Sequence, residues 1–157
     1  MSASSAVIIR DPAAARSRSW VWSAGDPTLS VGQEEAHYGG NLVEGARVLK
    51  FFGDIVTEVA IITDGDEGLF VGYDRIEFLA PVYAGDFLEV TGTVTRIGTT
   101  SRTVQLEARK VIASRYDDTP SGADVLDEPV VVVRAVGTTV VPAKNSRGPR
   151  GTGRPAA

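Results

Sequence analysis

The sequence predicts an α+β fold in which an antiparallel sheet wraps around one long central helix, and three observations carry that expectation. The segment Leu42 to Ile62 is apolar at helical spacing around most of its circumference, so other structure must enclose it. Downstream of it, four segments are built from strand-type residues, and some alternate strictly between apolar and polar. The chain has 157 residues, which suits one such domain and leaves little room for a second.

The elements follow in order. Residues 1–17 are rich in Ala and Ser and read as a loose segment ahead of a domain over 18–142. A first strand is expected around Ser19 to Ser23, where Trp20 and Trp22 share a face. In the helix, Leu42, Ala46, Leu49, Phe52, Val56 and Val59 form the apolar face, which Val48, Ile55 and Ile62 widen. Glu44, Arg47, Lys50, Asp54 and Glu58 gather on one narrow polar strip. Asn41 reads as the N-cap, and Glu44 completes a capping-box pattern. The run Asp64-Gly65-Asp66-Glu67-Gly68 stops the helix and turns the chain.

Strands are then expected at Leu69 to Leu79, Phe87 to Ile97, Arg102 to Ile112 and Val130 to Val141. Leu88, Val90 and Val94 alternate with polar neighbours, as do Val104, Leu106 and Ala108, which marks a sheet with one buried face. The acidic stretch Arg115 to Glu128 reads as a long loop. The tail, 143–157, carries Lys144, Arg147, Arg150 and Arg154 without apolar periodicity and is expected to be disordered. The uncovered sheet edge and the polar strip of the helix argue for at least a dimer.

Composition removes several functions. Sixteen Lys and Arg against twenty Asp and Glu give a net charge of −4, which provides no basic face for nucleic acid. With no cysteine there is no disulfide, thiolate metal site or cysteine nucleophile. His37 is the sole histidine, so one chain cannot build a multi-histidine metal site, and no GxSxG elbow accompanies it. No apolar run approaches the ~20 residues needed to span a bilayer, and none fits a signal peptide. A soluble, cytoplasmic protein with no membrane partner is the expectation.

The run His37-Tyr38-Gly39-Gly40-Asn41-Leu42-Val43-Glu44-Gly45-Ala46 resembles the opening of the central helix in hotdog-fold coenzyme A enzymes. More narrowly, it resembles the 3-aminobutyryl-CoA and β-alanyl-CoA ammonia-lyases of amino acid degradation, including lysine fermentation. The likeness continues through Asp64-Gly65-Asp66-Glu67-Gly68, Tyr73-Asp74, Pro81-Val82-Tyr83-Ala84-Gly85-Asp86 and Thr100-Ser101-Arg102, covering most of Glu34 to Pro142. It implies a hotdog fold and a reversible elimination of ammonia from a 3-aminoacyl-CoA to give an enoyl-CoA. It also implies no metal or organic cofactor beyond the coenzyme A of the substrate. Homo-oligomers built on dimers, as a dimer or trimer of dimers with sites at subunit interfaces, complete the expectation. Two alternatives stay open on the same fold: an acyl-CoA thioesterase, and a module that binds acyl-CoA without turnover.

Eliminating ammonia from a β-aminoacyl thioester needs a base for the proton beside the carbonyl, a donor for the developing oxyanion, and an acid or anion for the leaving nitrogen. Glu44 is the first candidate carboxylate. Asp74 is the second, because a regular strand places it on the face of Ile76 and Phe78, towards the helix. His37, in the loop before the helix, is a third catalytic candidate. Asp54 lies ~15 Å from Glu44 along a helix axis and cannot share a substrate carbon with it. Gly39, Gly40 and Asn41, at the expected helix start, are candidates to hold the thioester oxygen. Tyr38 and Tyr73 are candidates to orient substrate, and Arg102 and Arg109 to meet the phosphates of coenzyme A.

Overall fold

The computed structural model describes residues 20–148, with the side chains of the first strand described from Leu29 onward. The expectations for residues 1–17, for the shared face of Trp20 and Trp22, and for the tail beyond Gly148 lie outside the described residues.

The chain runs β1 (Trp20–Ser30), α1 (Gly45–Asp64), β2 (Leu69–Phe78), β3 (Phe87–Ile97), β4 (Ser101–Ser114) and β5 (Ala123–Val140). The five strands form one antiparallel sheet in the order β1-β3-β4-β5-β2, so β1 and β2 are its edges. Alternation on β3 and β4 puts Leu88, Val90, Val94, Val104, Leu106 and Ala108 on one buried face. Against that face lies α1, burying Val48, Phe52, Ile55, Val56 and Val59. Burial of a helix on this scale, at about 2 kcal/mol for each large aliphatic or aromatic side chain, outweighs anything helix propensity contributes. The α+β arrangement of one long helix on an antiparallel sheet is therefore as expected.

Three details depart from expectation. The helix starts later than its apolar pattern does. Val43 N–H donates to Val82 O (2.9 Å), Ala84 N–H donates to Asn41 O (2.9 Å), and Leu42 bridges Tyr83. These bonds hold residues 41–43 against the loop before β3, and the extended backbone of Leu42 and Glu44 forbids helix. Asn41 adopts a left-handed conformation (φ 62°), the N-cap is Glu44, and its side chain makes no capping bond. The capping box at Asn41 does not form.

The expected long loop is the second. β5 begins at Ala123, pairing Ala123, Asp124 and Val125 with Ser114, Ala113 and Ile112, so the connection spans only residues 115–122. Arg115 and Asp124 pair across its base at 2.7 Å.

The third concerns the segment after β5, which is hydrogen-bonded to the end of α1 as far as Arg147. Arg147 N–H donates to Asp64 O (2.7 Å), its guanidinium reaches Gly65 O, and Ser146 Oγ–H donates to Asp64 Oδ1 (2.9 Å). Carbonyls at the C-terminus of α1 that lack intrahelical donors thus find them in the start of the tail.

Candidate active site

A cleft of about 570 Å³ opens at the N-terminus of α1. One wall is the chain entering the helix, with Tyr38, Leu42 and Val43 before Glu44, Gly45 and Ala46. The opposite wall is the end of β2 and the segment after it, Phe78 to Val82, with Val48 and Val133 as an apolar floor. The amides of Gly45 and Ala46 head the helix and have no intrahelical acceptor, so they present donors and the positive end of the helix dipole to the cleft. Glu44 is half-buried beside them. Its carboxylate, unused by the cap, is the acidic group lining the cleft.

The structure separates the expected site residues into two groups. Tyr38 and Glu44 line the cleft. His37 is exposed and packs edge-on against Tyr38, with ring centroids 5.1 Å apart. Gly39, Gly40 and Asn41 form a short 3₁₀ turn just upstream, so the free helix-start amides are those of Gly45 and Ala46, further along than expected.

The remaining residues lie elsewhere in the chain. Asp74 is exposed, because the register between β2 and β5 slips between Tyr73 and Arg75 and turns its side chain from the helix to solvent. Tyr73 packs with Phe70 against the core, where burial pushes its phenol above its usual pKa, so at neutral pH it is a hydrogen-bond donor. Arg102 is not the exposed cation expected of it. Its side chain is 10 % exposed and pairs with the buried carboxylate of Asp64 at 2.7 Å, while it also donates to the carbonyls of Gly98 and Ser101. Arg109 is exposed on β4 and pairs with Glu107, which Arg134 also approaches at 2.8 Å.

Asp86 is not among the residues singled out from the sequence, although its motif, Pro-Val-Tyr-Ala-Gly-Asp, is visible there. It is 1 % exposed and accepts from Tyr83 N–H (2.8 Å), Ser114 N–H (2.9 Å) and Lys110 Nζ (2.8 Å). These bonds fix the Tyr83–Asp86 turn, in which Ala84 bonds Asn41 while Val82, just before it, bonds Val43. Asp86 therefore holds the wall of the cleft that leads into Glu44 without lining the cleft itself.

The thioesterase superfamily profile matches residues 40–111. The chain is similar to a 3-aminobutyryl-CoA ammonia lyase of Acetoanaerobium sticklandii, at 55 % identity over 119 residues covering 76 % of this chain and 94 % of that protein. Its fold is similar to the β-alanyl-CoA:ammonia lyase of Clostridium propionicum, with a TM-score of 0.77, 37 % identity and coverage of 87 % of this chain and 93 % of the other. It is also similar to a hexameric hotdog-fold thioesterase of Campylobacter jejuni, with a TM-score of 0.61 at 16 % identity and coverage of 79 % and 87 %, which speaks for the fold alone. No helix among the described residues is long and apolar enough to cross a membrane.

Proposed function

We infer, from the premise that the chain belongs to the hotdog-fold 3-aminobutyryl-CoA and β-alanyl-CoA ammonia-lyase family, that it reversibly eliminates ammonia from a 3-aminoacyl-CoA to give an enoyl-CoA. It is a carbon–nitrogen lyase acting on an acyl-CoA, with a substrate such as 3-aminobutyryl-CoA. The observation that carries the chemistry is Glu44, a half-buried carboxylate that caps nothing and shares the cleft with the unpaired amides at the start of α1.

In this reading the thioester oxygen is held by the Gly45 and Ala46 amides, which stabilise the enolate as charge develops there. Glu44 takes the proton from the carbon beside the carbonyl. The electron pair left on that carbon forms the carbon–carbon double bond as the bond to the protonated amino group breaks and neutral ammonia departs. Glu44 then returns its proton to the ammonia, which leaves as ammonium, so one carboxylate serves as base and acid in turn. Tyr38 orients the substrate, and His37 steadies Tyr38. The reaction uses no metal or organic cofactor, and coenzyme A is the handle of the substrate. Arg109, exposed on β4, remains a candidate for its phosphates. The protein works in the cytoplasm as a dimer or a trimer of dimers. Asp74, exposed on the edge strand β2, reaches a substrate only across such an interface.

The test mixes purified protein with (S)-3-aminobutyryl-CoA and follows ammonia, crotonyl-CoA and free thiol together. Ammonia and crotonyl-CoA without thiol are expected. Thiol alone would assign the protein to thioester hydrolysis instead.

A further inference from the structure

The aromatic ring at the mouth of the cleft is held by an absence on the helix. Phe78 ends β2 and is 58 % exposed, unusual for a phenylalanine that a sheet could have buried. A Cβ added at Gly45 would meet its ring at 2.4 Å (Cε1), 2.9 Å (Cδ1) and 3.1 Å (Cζ). The ring therefore lies directly on the first turn of α1, in space that any side chain at position 45 would take. Gly45 supplies one of the two free amides, Glu44 precedes it, and Phe78 lines the same cleft. A flat hydrophobic ring consequently borders the place where a thioester oxygen is to be held. Leu79, 49 % exposed, continues the apolar border past the end of the strand.

We propose that Phe78, seated on Gly45, sets the acyl-chain length that the cleft accepts. The inference rests on the acyl-CoA reading. A thioester anchored by the Gly45 and Ala46 amides directs its acyl chain along the cleft, and the ring closes the side of that path next to the helix start. A short 3-aminoacyl group fits beneath it, and additional methylenes meet it. Removing the ring opens the path, while adding a methyl at position 45 unseats the ring and leaves all its atoms present.

The test compares wild type, Phe78→Leu, Phe78→Ala and Gly45→Ala on 3-aminobutyryl-CoA and 3-aminohexanoyl-CoA, with circular dichroism to confirm the fold of each. Two methylenes of newly admitted apolar chain correspond to about a tenfold rise in the kcat/KM ratio of the longer to the shorter substrate in Phe78→Ala. Phe78→Leu is expected to fall between, and Gly45→Ala to shift the ratio although the ring remains. Should wild type release ammonia from neither substrate, the lyase reading fails by itself. The same ratio is then read from dissociation constants of butyryl-CoA and hexanoyl-CoA measured by calorimetry. An unchanged ratio in the folded variants, or no binding of either thioester, overturns the role of Phe78.

Discussion

At the scale of single residues, the proposed reaction concentrates its proton transfers on Glu44. Glu44→Gln keeps the size of the side chain and removes the base, so kcat should fall by about 10²–10⁴-fold with a much smaller change in KM, as steady-state ammonia release would show. His37→Gln should cost far less, since that ring touches Tyr38 and is not among the residues lining the cleft. If the two variants lost activity equally, the assignment of Glu44 as the only proton carrier would fail. Glu107 is instead a stability group. Burial pushes its carboxyl up, but hydrogen bonds from Arg134 and Arg109 outweigh this and hold it below the usual range. A depressed carboxylate pKa adds stability above the unfolded value, and that stability is lost as pH falls through the folded value. Both arginines are about half exposed, so solvent screening keeps the effect small. The place of Glu44 beside a helix start is legible in the sequence, where free amides and a carboxylate share one small region, although the helix starts at Gly45 and not directly after Asn41. The orientation of Asp74 is not, since a single bulge reverses the face of a strand residue and leaves no mark in local composition.

At the scale of elements, periodicity makes α1, β3 and β4 legible, because each buries one face and repeats accordingly. The start of α1 is not legible, since distant partners decide it: the backbone bonds from residues 41–43 to Val82–Ala84 compete with helix and win. The first part of β5 is hidden for a related reason. Its residues Ala123, Asp124 and Val125 are exposed and read as loop, yet pairing with Ser114, Ala113 and Ile112 at the end of β4 makes a strand of them. The role of Arg102 is hidden too, because only the fold brings it to Asp64, at the C-terminus of α1. That pair is buried on both sides, and Ser146 adds a further bond to the same carboxylate oxygen. Arg102→Ala would leave Asp64 charged and buried with its main partner gone, a change that typically costs about 3–5 kcal/mol. Urea unfolding should show a lowered midpoint with little change in slope. A cost under about 1 kcal/mol would mean that solvent reaches Asp64 in solution and that the pair contributes little.

At the scale of the whole molecule, the sheet ends on one side at β2, whose outer edge has no neighbour among the described strands. Leu69 and Val71 are 66 % and 60 % exposed there, in addition to Phe78. An apolar edge strand left open is a template for further pairing, which native proteins either blunt or cover. The proposed self-association covers it, and two-fold pairing of β2 with its copy would be the economical way, since each strand satisfies the other. Asp74 lies on this same strand, and the bulge that turns it from its own helix directs it outward. Two measurements then constrain each other. Val71→Lys places a charge on the edge and should shift the protein to a smaller species in sedimentation velocity while leaving the helical signal intact. Asp74→Asn should leave the assembly unchanged. If Asp74 serves a neighbouring site, both variants lose ammonia release, the first through dissociation and the second through chemistry. Full turnover in Asp74→Asn removes that residue from the reaction. Should Val71→Lys sediment like wild type, β2 is not the edge by which the subunits meet, and Asp74 has no route to a substrate.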